Sequence, residues 1–456
     1  MAELSALAGC LGKEKAYFIY LTESEGIETA MVALEEKDDS ARDSYSSLRF
    51  RDFRLLLVGI FLTMFARQMI AVAIGWELYE RTGSALVLGG VGLAQVIPII
   101  ALFLPSGYIS DRYSRKDVIL VSQIVLALAS LSLAVLSYQQ GSLFLIYACL
   151  VAIGSVQSFS NPASSAIVSQ VVPEREYENA MTWRSSVGQL SAVIGPASGG
   201  LLIGLFHQAT IVYVISAMAP VIFVLLLLRM RVKPQVRQAK AGERKTLGTL
   251  MEGLSFLGQT QVLLAAITLD LFAVLLGGAT ALLPIYAKNI LNVGPIGLGW
   301  LQAASSLGAV CMAFSLAHRP PFKKAGRTLL LAVAGFGVAT IVFGLSHWFW
   351  LSFLMLFLLG AFDNISVVIR STLLLVRTPD EMRGRVSAVS SLFIGTSNQL
   401  GGFESGLVAQ LGGPIFSVVS GGIGTILVVL LVAWIWPEFR RLRTLREKPN
   451  EVVTSS

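Results

Sequence analysis

The chain has 456 residues, 54% of them hydrophobic and 14% charged, with a formal net charge of +7. A water-soluble chain carries about 25% charged residues, so an ordinary soluble globule is excluded. The uncharged runs 118–136 and 209–228 approach the ~20 residues with which a helix crosses a hydrocarbon core of about 30 Å, and they lack the apolar-polar alternation of an outer-membrane strand.

Interrupting the apolar runs at charges and turn residues predicts twelve spans, at 54–79, 86–107, 117–137, 143–167, 183–206, 208–229, 257–284, 297–317, 327–346, 348–373, 386–410 and 412–436. Turns between them are supplied by Arg81-Thr82-Gly83-Ser84, Gln139-Gln140-Gly141-Ser142, Gly294-Pro295 and Gly412-Gly413-Pro414. Residues 1–46 form a polar tail, with ten acids against four bases up to Asp43, a composition that favours disorder. A basic linker over 230–256 divides the spans six and six, into bundles over 47–229 and 257–437, and a basic tail follows over 438–456. The expected fold is an all-α integral membrane protein of two six-helix bundles.

Lys and Arg collect on one side: around Arg49, Arg51 and Arg54, at Arg112, Arg115 and Lys116, in the linker, at Arg383 and Arg385, and after Arg440. The opposite loops hold Arg81 and Lys288. Positive loops are retained inside, which predicts cytoplasmic termini in an inner or plasma membrane. The same bias accounts for the net charge without any nucleic acid. Cys10, Cys149 and Cys311 are scattered, and His207, His318 and His347 stand at segment ends, so no disulfide, zinc or other metal spacing exists. There is no phosphate loop or nucleophile elbow. Neither enzyme chemistry nor a cofactor is expected.

Two stretches 206 positions apart share a grammar. Pro173-Glu174-Arg175-Glu176 precedes span five and Pro379-Asp380-Glu381-Met382 precedes span eleven; Gly195 and Gly200 match Gly401 and Gly406, and Gly154 matches Gly360. Two like-oriented six-helix halves are the plan of a secondary transporter, with chance alignment of glycine-rich helices as the alternative.

The loop after span two reads Gly107-Tyr108-Ile109-Ser110-Asp111-Arg112-Tyr113-Ser114-Arg115-Lys116. It is similar to the G-x-x-x-D-R-x-G-R-K signature of the major facilitator superfamily, with Ser114 where the second glycine stands. The resemblance implies a cytoplasmic gate in which Asp111 faces the start of span eleven, near Arg383 and Arg385, where helix N–H groups favour an anion. Within span five, Gly195-Pro196-Ala197-Ser198-Gly199-Gly200 resembles a packing motif of exporters in that superfamily; small residues let helices approach, and Pro196 removes a ladder donor. From about Ser47 onward the chain resembles the enterobactin-exporter-like branch. The blocks that carry this include Gly75-Trp76-Glu77-Leu78-Tyr79-Glu80-Arg81, Asp270-Leu271-Phe272-Ala273-Val274 and Asp363-Asn364-Ile365-Ser366-Val367-Val368-Ile369-Arg370.

Charges at membrane depth are costly, about 2.5–3.5 kcal/mol each on insertion scales, and default to functional candidates. Arg67 lies within span one, Asp270 within span seven, and Asp363 within span ten with Arg370 two turns further on the same face. The resemblance implies that spans one, four, seven and ten line a central cavity, which takes in all four. Span four adds Gln157 and Asn161 beside Pro162; Glu404 and Glu77 lie towards the outer ends of spans eleven and one. Two readings stay open: Asp270 or Asp363 exchanges a proton as the cavity alternates between wet and closed, or is neutralised by Arg370 or Arg67 in a structural pair. Asp363 is favoured as carrier, since Asp270 has no base in its own span and would meet Arg67 across the cavity or nothing.

These residues predict a monomeric, proton-coupled exporter whose partners are a small-molecule substrate, protons and the lipid bilayer. Nutrient uptake or lysolipid transport is the alternative, and a scaffold or lipid scramblase without coupled transport is the reading from another class.

Overall fold

Hydrocarbon offers no water to an open backbone, so each crossing must close its hydrogen bonds internally. The structure, a computed structural model that describes residues 44–231, 247–320, 322 and 324–441, is helical wherever the sequence is apolar. In chain order the spans are Arg51–Thr82, Ala85–Ala101 continued by Phe103–Arg112, Arg115–Tyr138, Leu143–Ala166, Tyr177–Phe206, Thr210–Arg229, Gln261–Leu276, Gly294–Ala317, Ala325–Leu345, Phe349–Arg377, Arg383–Gly412 and Pro414–Ile435. Among the described residues ten helices are long and apolar enough to cross a membrane. Span two falls short because it is interrupted at Leu102, four residues after Pro98. Span eleven is long enough, at 30 residues, but carries Ser, Thr, Asn and Gln along its length.

Two expected elements are corrected. Span seven does not run unbroken over 257–284: its helix starts after Thr260 and stops at Leu276, where Gly277-Gly278 interrupts it, and the chain continues through short turns and a π-turn at Tyr286–Ile290. The glycine pair is there for space, since a Cβ on Gly278 would lie 2.5 Å from Ser405 Oγ of span eleven. The end of the basic linker is not loose chain either. Leu247–Gln259 is a helix, with Gly253 and Leu257 buried and Met251 and Leu254 exposed, that lies along the start of span eleven. Residues 1–43, 232–246 and 442–456, which hold most of the two expected tails and of the linker, lie outside the described residues.

The neighbour pattern repeats between halves. Spans one and five, one and six, three and six, three and four, and two and four pack together; so do their counterparts seven and eleven, seven and twelve, nine and twelve, nine and ten, and eight and ten. The halves meet through spans two and eleven and through five and eight, pairs that the repeat exchanges. The matched glycines obey the same rule. A Cβ at Gly195 would meet Gln68 of span one at 2.6 Å, and one at Gly401 would meet Val274 O of span seven at 2.7 Å. Gly154 faces span two at Pro98 and Gly360 faces span eight at Ser305; Gly200 and Gly406 face spans eight and two of the opposite half. The repeat is therefore structural, and its glycines mark equivalent close approaches.

Buried side chains fall into three clusters. One, including Met69, Trp76, Tyr286 and Leu298, draws on both halves. The other two are private: Phe53, Ile119, Phe223 and their neighbours belong to the first half, and Leu263, Ile369, Val389 and theirs to the second. The halves thus share a core at one end and keep separate cores at the other.

Candidate functional site

Twelve crossings return the chain to the end at which it starts, and the shared core lies at the opposite, far end. There, Asn289 Nδ2 donates to the Tyr79 hydroxyl at 2.6 Å, and Lys288 Nζ stands 5.9 Å from the centroids of both the Trp76 and Tyr79 rings, within cation–π range. Ser84 Oγ and the Leu86 N–H donate to Gln410 Oε1 at 3.1 and 3.4 Å, so a side chain of span eleven serves the open first turn of span two. Deeper in, Gln399 Nε2 donates to Gln95 Oε1 at 3.4 Å. Between these contacts the seams are glycine: a Cβ at Gly406 would lie 2.6 Å from Gly89 Cα, and one at Gly200 would lie 2.8 Å from Gly299 Cα. Close approach of this kind is what small residues permit.

The span-five motif consequently serves two partners. Gly195 and Gly199 face span one, where a Cβ at Gly199 would lie 3.1 Å from Met69 Cα, whereas Pro196 and Gly200 face span eight. Gly200 is not the more tolerant neighbour that a single packed face would allow; its seam is at least as tight, and it joins the two halves.

At membrane depth the charges sort into paired and unpaired. Asp270 forms an ion pair with Arg370, both almost fully buried, between spans seven and ten. This corrects the expectation that Asp270 meets Arg67 or nothing: the base that shares a face with Asp363 is taken by Asp270. Asp363, partly buried, has no hydrogen bond or ion pair among the described residues, and neither has Arg67. Glu404 accepts from Ser405 Oγ at 3.4 Å. Glu77 is committed elsewhere: it pairs with Arg81 and accepts from the Tyr213 hydroxyl at 2.7 Å, while Arg81 donates to the carbonyls of Leu136, Ser137 and Gly141 at the end of span three. That cluster ties three spans of the first half at the far end. In span four Gln157 is partly buried and Asn161 exposed.

At the termini end each base bonds within its own half. Arg112 donates to the Tyr108 hydroxyl, Arg115 to Ala166 O at 2.7 Å, and Lys116 to Met230 O at 2.8 Å. Arg383 pairs with Asp380 at 2.7 Å and Arg385 with Glu252 of the linker helix at 2.5 Å. Gly107 is buried, and the side chain of Asp111 lies outside the described residues. The far-end residues Tyr79, Lys288, Asn289, Gly89, Gly299 and Gln410 escaped the sequence reading. The signal available was the repeat, because glycines matched across halves had to touch something equivalent.

The profile of the Major Facilitator Superfamily matches residues 56–323. Curated relatives include Enterobactin exporter EntS of Shigella flexneri, 26% identical over 409 residues, and that of Escherichia coli O1:K1 / APEC, 25% identical over 407; both alignments cover 88% of this chain and 95% of the relative. Among solved structures, the nucleoside transporter NupG superposes with a TM-score of 0.68 at 13% identity, covering 85% of this chain and 100% of that one. A bacterial homolog of the human lysosomal transporter Spinster, in an inward-facing and occupied conformation, gives 0.67 at 14% identity, covering 90% and 100%. The solved structures speak for the fold. The profile, which spans more than half of the sequence, falls on a repeat that exchanges span five for eleven and two for eight, and the chain belongs to the major facilitator superfamily, as a multi-pass membrane transporter.

Proposed function

We propose that the protein is a proton-coupled exporter of an amphiphilic, drug- or siderophore-like small molecule, working by alternating access as a monomer with both termini cytoplasmic. The loop bias of Lys and Arg supports that orientation, under which the far-end seal is the outer gate and the molecule stands open to the cytoplasm. The enterobactin exporters among its relatives favour export. The observation that carries proton coupling is Asp363, a carboxylate at membrane depth without a partner, while the nearby Arg370 is held by Asp270. Such a group can gain and lose a proton as the two ends open in turn. A membrane potential supplies about 2.3 kcal/mol per proton per 100 mV. In this cycle Asp111 closes the cytoplasmic side against Arg383 and Arg385 when the outer side opens, and Arg112, Arg115 and Lys116 change partners with it.

The test is accumulation in cells with and without the protein. Lower content of a compound, restored by an uncoupler, supports the reading. Asp363→Asn is expected to lose uphill export yet keep downhill exchange; continued export against a gradient by this variant would remove Asp363 from the coupling step.

A further inference from the structure

The direction in which Arg67 points follows from its neighbours on span one. Gly59 meets Phe223, and the Ala66 carbonyl meets Ser216 Oγ at 3.4 Å, which fixes the arc turned to span six. Phe65, Gln68 and Met69 meet Gly195 and Gly199, which fixes the arc turned to span five. At about 100° per residue, Arg67 falls outside both. It heads a stripe continued by Ala71, which is exposed, and Gly75, whose Cβ would lie 3.1 Å from Pro284 of the opposite half. The guanidinium is therefore aimed at the space between the halves.

No carboxylate is left to neutralise it in this state. Glu77, ten residues along the same span, is held by Arg81 and Tyr213, and Asp270 by Arg370. Arg67 makes no bond of its own among the described residues. Arg184 of span five, nearer the termini end, is also without an acid: its Nη1 donates to Ser165 Oγ at 2.8 Å and its Nε is buried without a partner. By helical rise Arg184 lies about 10 Å and Arg67 about 24 Å from the termini end of their helices. The inner wall of the first half thus offers two stepped, uncompensated positive charges. A planar guanidinium has five donors in a fork that fits a carboxylate or phosphate two bonds at a time.

We infer that the cargo is an organic anion whose carboxylate- or phosphate-like group seats on Arg67, the binding residue, after passing Arg184. This rests on the transporter reading above and adds the charge class that it lacks. Asp363 stands at a similar depth in the other half, about 21 Å from the termini end of span ten. If it were the standing counter-ion of Arg67, the parent protein would show no preference for anions.

The experiment is equilibrium binding to the purified full-length protein in nanodiscs, without any gradient. The probes are benzoate, 1-naphthoate and 1-naphthyl phosphate, each beside its uncharged counterpart: benzamide, 1-naphthamide and 1-naphthol. The parent is expected to bind at least one anion about tenfold or more tightly than its counterpart. Arg67→Lys should keep part of that preference, and Arg67→Gln should bring anion and counterpart to within about twofold. Overturning results are a parent without preference for any of the three anions, or a preference unchanged in Arg67→Gln; the Lys variant guards against loss of folding. Proton movement in proteoliposomes is measured separately. Anion preference without proton movement would retire the coupling and keep the seat, whereas proton movement without anion preference would do the reverse.

Discussion

A carboxylate and a guanidinium held together in hydrocarbon are a poor source of net stability, yet separating them is costly, because removing one partner strands the other. The Asp270–Arg370 pair is in that position. Asp270→Asn or Arg370→Gln is expected to lower the stability of the detergent-solubilised protein by about 3 kcal/mol, read as a fall in the thermal midpoint. The exchange Asp270→Arg with Arg370→Asp should recover part of it. The exchange of Asp270 with Arg67 should recover nothing, because those two do not meet. Periodicity had put Asp270, Asp363 and Arg370 at the right depth. It could not say which acid owns the arginine, since that depends on how spans seven and ten are rotated against each other, and a rotation leaves the apolar pattern unchanged.

At the scale of helices the glycines separate by what they face. Gly195 packs within its half, so Gly195→Ala should loosen the first bundle whatever the position of the second. Gly200 and Gly406 pack between halves, and a Cβ at either enters the opposite backbone. Overpacking of this kind costs about 1–3 kcal/mol, charged only to the conformation in which the far end is closed. Gly200→Ala and Gly406→Ala are therefore expected to favour far-end opening with little loss of thermal stability. Spin labels at Tyr138 and His347, exposed far-end positions in the two halves, in a protein lacking Cys10, Cys149 and Cys311, should report a longer mean distance in these variants and no change in Gly195→Ala. Spacing alone disclosed that the glycines repeat. It did not disclose that neighbours in one motif serve opposite sides, nor that Gly277-Gly278 breaks span seven, because an apolar run reads the same whether its helix is whole or interrupted.

For the whole molecule, the two ends are seals in opposition, and weakening one should populate the state in which it is open. Asn289→Ala and Lys288→Met remove polar ties at the far end and are expected to lengthen the Tyr138–His347 distance. Asp111→Asn should act in the contrary sense, shortening the mean distance and slowing transport while insertion stays normal. A shift of the same sign in both sets of variants would mean that the two ends are not coupled. The architecture was plain in the sequence because twelve apolar runs, loop charges and a 206-residue repeat each constrain it independently. The far-end seal was hidden because its contacts lie hundreds of positions apart and use residues with no charge pattern to betray them.

The single cluster of apolar side chains shared by both halves has a thermal consequence. Each opening of the far end wets part of that core, and every 100 Å² of apolar surface brought into contact with water raises the heat capacity by about 45 cal/mol/K. The opposite end closes through loops carrying Asp111, Arg112, Arg383 and Arg385, polar surface whose burial does not cancel this rise. The enthalpy of opening must then climb with temperature and change sign, so the far-end-open fraction passes through a minimum on warming instead of rising steadily. Transport limited by that fraction will show a curved Eyring plot in membranes of constant fluidity, and variants that remove apolar side chains from the shared core, such as Leu298→Ala, will flatten it.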